Sequence, residues 1–132
     1  MRKKLIIAGI ISLVIISLLY IAWQSYDLSS DYNYATAKFD IKNGEVKIIH
    51  TGAPVISSKD KEIEQVAARY GFKNIYIEKF TPQQTEEGIK NYNELIRNYL
   101  IIRNGAGWEK NYQREIDSLY KAAGIEVKYP GR

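Results

Sequence analysis

The chain has no cysteine. Disulfides, thiol nucleophiles, thiolate metal sites and lipid attachment through sulfur are excluded, so an exported domain built from it must be held by its core. Histidine occurs once, as His50, which leaves a structural or catalytic zinc site short of ligands. The G-x-S-x-G, H-E-x-x-H and N-x-[ST] patterns are all missing. Acids are missing from the first 26 positions, where Arg2, Lys3 and Lys4 stand alone. The other 16 basic residues face 15 acids, so the formal net charge of +4 belongs mostly to the N-terminal cap. The remainder is close to neutral, and no basic face argues for nucleic acid as a partner.

What is present first is a hydrophobic run. Leu5 to Trp23 (LIIAGIISLVIISLLYIAW) carries no charge. As a helix it spans about 28 Å, close to a bilayer core of about 30 Å. Tyr20 and Trp23 lie where an interfacial aromatic belt belongs, and Asp27 and Asp31 follow. The positive-inside bias predicts residues 1–4 as a cytoplasmic cap and 5–23 as a transmembrane helix. It predicts 24–35 as a linker and 36–132 as an extracytoplasmic domain. The rival reading is a cleaved signal peptide, but Tyr20, Trp23 and Gln24 stand where small residues should follow. Both readings put the domain outside.

The remaining 105 or so residues are enough for one modest core. Eleven tyrosines against three Phe and two Trp suggest core-edge packing with hydroxyls seeking partners. Lys38-Phe39-Asp40-Ile41-Lys42, then Asn43-Gly44, then Glu45 to His50 reads as a β-hairpin with a type I′ turn, with strands over 36–42 and 45–50. Ser58 is placed to cap a helix from Lys59, with Ile63, Val66, Ala67 and Tyr70 as its apolar stripe and Gly71 as its stop. Asn74 to Glu78 reads as a strand, parallel to the earlier one through a β-α-β crossover. Thr81-Pro82 is placed to open a helix carrying Ile89, Tyr92, Leu95, Ile96, Tyr99 and Leu100. A last helix runs from Trp108 to Gly124, and Ile125 to Tyr129 suggests a short strand. The expected class is α+β: a β-hairpin plus β-α-β-α-α, after one transmembrane helix.

Ligands gather beyond the carboxyl ends of parallel strands, where helix N-termini also point. That rule marks His50, Thr51, Ser57, Ser58, Glu78 and Thr81 as candidate ligand-binding residues. The bland alternative is a strand-end imidazole beside helix caps. Glu86 and Glu87 are adjacent on a helix, cannot share a proton well, and suit the dipole of a first turn. Tyr92, Tyr99, Trp108 and Tyr112 keep helical spacing and read as core before groove. Arg103 to Gly107 lacks the Walker pattern and reads as a helix–helix turn. No catalytic or metal residue and no cofactor is marked.

Several segments together resemble the FEKKY-domain family of small uncharacterised proteins. They are Asp40 to Gly44, Ala68-Arg69-Tyr70-Gly71-Phe72, Tyr92-Asn93, Tyr99-Leu100, Arg103 to Trp108 and Glu115-Ile116-Asp117. The likeness covers about residues 38–120. Val66 to Tyr70 stands where the naming Phe-Glu-Lys-Lys-Tyr is expected, with the Tyr-Gly end kept. The resemblance implies a name and no activity. The reading that follows is a membrane-anchored module, leaning away from an enzyme, that binds an envelope protein or component. The alternative is a small enzyme or ligand binder using the strand end around His50.

Overall fold

A computed structural model describes residues 1–126. Helix α1 spans Arg2–Ser25, and its most apolar 18-residue window has a mean hydropathy of 2.8 with none of it buried. It is long and apolar enough to cross a membrane. After it come α2 (Tyr34–Lys42), β1 (Lys47–Thr51), α3 (Asp60–Tyr70), β2 (Lys73–Ile77), α4 (Glu86–Asn104) and α5 (Trp108–Ala122). The class is α+β with one small parallel sheet, in which His50 pairs with Tyr76.

The expected strand over 36–42 is a helix, so there is no hairpin. Asn33, inside the stretch read as linker, accepts the amides of Ala35 and Thr36, and Thr36 Oγ1 takes the Asn33 N–H in return. That reciprocal cap starts a helix that the Lys38–Lys42 alternation does not announce. Ala37 and Ile41, four apart, turn inward, while Phe39 stays 65% exposed. Asn43-Gly44 then acts as a helix stop. Glu45 N–H reaches Asp40 O (2.8 Å), Gly44 N–H reaches Ile41 O (3.2 Å), and Gly44 holds φ at 75°. This is the two-bond closure of a helix end, and it needs the same left-handed residue that a type I′ turn needs.

Two helix starts also move. α3 begins at Asp60, not Lys59, and Ser58 makes no capping bond. α4 begins at Glu86 with Thr85 as its cap, four residues beyond Thr81. Ile125 and Glu126 are not in a strand, and residues 127–129 of the expected last strand lie outside the described residues.

The centre of the domain is α4. Tyr92, Ile96 and Leu100 fall on one stripe and are wholly buried, among Ala37, Ile48, Ile49, Phe72 and Trp108. Each such side chain contributes about 1.5–3 kcal/mol by leaving water. A smaller apolar cluster of Ile63, Val66 and Ile116 joins α3 to α5. Tyr92 Oη donates to Asp40 (2.5 Å), which also pairs with Lys47 (3.4 Å), tying α2 and β1 to α4. Burial, then that carboxylate, pushes the Tyr92 hydroxyl far up, so it stays protonated.

Residues 27–33 form a strap against the start of α4. Asp31 N–H donates to Gln83 O (2.7 Å), and Asn33 Nδ2 to Ser30 O (2.7 Å). Thr85 Oγ1 donates to Asp27, whose carboxylate thereby complements the positive end of α4. Asp27 holds φ at 51°, a costly conformation for a non-glycine residue and one fixed here by those bonds. Gly88 lets the strap approach; a Cβ there would collide with Tyr32 O and Ser30 Oγ.

Candidate functional site

The parallel pair and the loop after it bring together the groups with the most accessible chemistry. His50 stacks on Tyr76 with ring centroids 4.9 Å apart, because the register sets them side by side on one face. His50 Nε2 lies 2.7 Å from Asn74 Oδ1, so the imidazole donates there. Asn74 Nδ2 in turn donates to Tyr112 Oη (3.1 Å). Burial lowers the His50 pKa, as does the Arg97 charge, against the opposing effect of the Asn74 bond. Burial also raises the hydroxyls of Tyr76, Tyr112 and Tyr120. At neutral pH the His50, Tyr76, Tyr112 and Tyr120 side chains are uncharged and able to hydrogen-bond.

Beside them lies a cavity of about 250 Å³, lined by Pro54, Val55, Ile56, Ile63, Tyr76 and Tyr120, with Asp60, Glu64 and Asn74 at its polar side. Val55, Ile56 and Tyr76 are exposed, Ile56 to 81%. Asp60 is already occupied, accepting Ser57 N–H and Oγ–H (both 3.0 Å). A second cavity of about 540 Å³ shares Glu64 and Asn74 with the first and continues along β2 past Lys61, Gln65, Ala68 and Lys73. Together they form one trough between α3 and β2.

The six sequence-marked residues separate. His50 supports the cavity through Tyr76 and Asn74, and Ser57 through Asp60. Thr51, Ser58, Glu78 and Thr81 are exposed and do not line either cavity. Sequence reasoning missed Asn74, Tyr76 and Tyr120, and read Tyr112 as core before groove. The available signal was the register itself, since a parallel strand beside His50 puts alternate residues of Asn74 to Ile77 on its face. The tyrosine and tryptophan stripe is largely core: Tyr92 and Trp108 are buried, with Tyr99 and Tyr112 packed against them. Among the described residues, no three His, Asp or Glu side chains come close enough to hold a metal ion. No family model matches the chain, and no curated protein or solved structure was found similar to it.

Proposed function

We propose that the chain is a single-pass membrane protein whose domain stands on the non-cytoplasmic side and binds an envelope protein there. The observation that carries this is the strap. The membrane-exit residues are bonded to the start of α4 rather than left as free tether, so the domain is presented to partners in a fixed attitude. The orientation rests on Arg2, Lys3 and Lys4 before α1 and on Asp27 and Asp31 after it. Membership of the FEKKY-domain family is part of this proposal. Its support is that Gly44, Gly71 and Gly105 of the shared segments all stand at helix ends.

A second reading is favoured by the 250 Å³ cavity: a small neutral, partly aromatic ligand held against Tyr76 and Tyr120. Two measurements separate the readings. A C-terminal reporter active only outside the cytoplasm tests the orientation, and reporter activity inside overturns it. A photo-crosslinker at Ile56 in intact cells tests the partner. A discrete protein adduct, lost when the crosslinker moves to exposed Ser118, supports the first reading; labelling by small molecules alone supports the second.

A further inference from the structure

We propose that the free edge of β2 takes up an extended, acidic segment of the partner protein as a third strand. The inference rests on the binding-module reading above and names the chemistry of its partner.

The sheet has two edges, and among the described residues only one is closed. Lys73 N–H donates to Val46 O (3.0 Å) and Gly52 N–H donates to Ile77 O (2.8 Å). In a parallel ladder, this phase turns the backbone groups of Lys73, Ile75 and Ile77 toward β1. It turns those of Asn74 and Tyr76 outward. On β1 the outward residue Ile49 has both groups taken by Asn93, at 2.9 and 2.8 Å. Among the described residues, nothing takes the outward groups of Asn74 and Tyr76. The trough runs along this edge, with apolar Val55, Ile56 and Tyr120 at one end. Main-chain pairing plus a pocket for alternate side chains is how an added strand is recognised.

Charge selects the occupant. In the larger cavity of the trough, Lys61 and Lys73 form no ion pair among the described residues and face one acid, Glu64; the trough's other acid, Asp60, lines the smaller cavity and is already engaged by Ser57. A second copy pairing edge to edge would bring two such lysine pairs together, which is how Lys guards an edge against self-association. The chain's own residues 127–132 carry Lys128 and Arg132 and no Asp or Glu, so they match the edge poorly. An acidic strand gains where both of these lose.

The test uses the full chain in detergent micelles and two blocked heptapeptides, one alternating valine with aspartate and one alternating valine with lysine. The expected result is binding of the acidic peptide roughly tenfold or more tighter than the basic one, a difference of about 1.4 kcal/mol. Bound acidic peptide should slow hydrogen exchange at the Asn74 and Tyr76 amides. N-methylation of its alternate amides should abolish both effects. The exposed double variant Lys61→Glu with Lys73→Glu should reverse the preference, with its far-UV spectrum unchanged. Absence of binding, binding without charge preference, or binding that leaves those amides unprotected overturns the proposal. So does protection without peptide: independent of concentration it means the chain's own residues fill the edge, and dependent on concentration a second copy. None of these readings depends on membrane orientation, so failure here leaves the topology result standing.

Discussion

The side-chain amide of Asn93 meets the peptide of Ile49 as a neighbouring strand would, donating from Nδ2 to its carbonyl and accepting its N–H. Both residues are buried, so the edge of β1 beneath α4 has no water to fall back on. Replacing Asn93 with Leu keeps the volume and orphans a buried donor and a buried acceptor. The expected cost is about 2–4 kcal/mol. Denaturant unfolding of the full chain in micelles, followed by Trp108 fluorescence in a Trp23→Phe background, measures it. A loss below about 0.5 kcal/mol would mean that the amide pair contributes nothing the backbone cannot replace.

The cap on α2 makes a separate prediction. Asn33 is buried and serves both the helix amides and the strap carbonyl of Ser30. Asn33→Ala should cost about 1–2 kcal/mol, the range for losing such a cap. Limited proteolysis should show new cleavage within residues 27–42 while α4 and α5 stay protected. Uniform loosening of the whole domain would contradict a local role.

These two asparagines show what the sequence does and does not disclose. α3, α4 and α5 are legible because Ile63, Val66 and Ala67, or Tyr92, Ile96 and Leu100, repeat at helical spacing over several turns. Segment 36–42 has only Ala37, Phe39 and Ile41 to offer, and alternation of two residues outweighs a four-residue spacing when the cap lies outside the segment. Asn43-Gly44 does not arbitrate, since a left-handed residue ends a helix as readily as it turns a hairpin. His50 is legible as the odd residue at a strand end. Its partners are not, because Asn74 and Tyr76 meet it only through a pairing register between strands 24 residues apart or more, which no local pattern carries.

Gly88 sits in the first turn of α4 at the closest approach of the strap. By helix propensity alone, Gly88→Ala would stabilise by up to about 1 kcal/mol. The collision with Tyr32 O and Ser30 Oγ should reverse that sign and release the strap, because one of the blocking atoms is backbone. Amide exchange at Asp31, whose N–H is bonded to Gln83 O, should accelerate roughly tenfold or more. A more stable protein with unchanged exchange at Asp31 would show that the strap is not seated on α4.

His50 gives the domain a pH dependence with a definite sign. Its pKa lies below the ordinary 6.5, because burial and then Arg97 oppose the charged form, while the Asn74 bond pulls the other way. The unfolded chain therefore binds a proton near pH 6.5 that the folded chain refuses. Stability is full above that pH, declines as pH falls through it, and levels off once the folded imidazole also titrates. Glu62 and Glu115 are held below the usual carboxylate range, the first mainly by its own backbone amide and the second mainly by Arg69. Both add an acid-side loss of their own, so a single pH curve does not isolate the histidine. His50→Gln does, since glutamine can donate toward Asn74 without titrating and leaves both carboxylates in place. The stability advantage of His50 over Gln, measured by denaturant unfolding between about pH 7.5 and pH 5, should shrink as the solution is acidified. An advantage that stays constant or grows over that range would show that the folded imidazole accepts its proton as readily as the unfolded one.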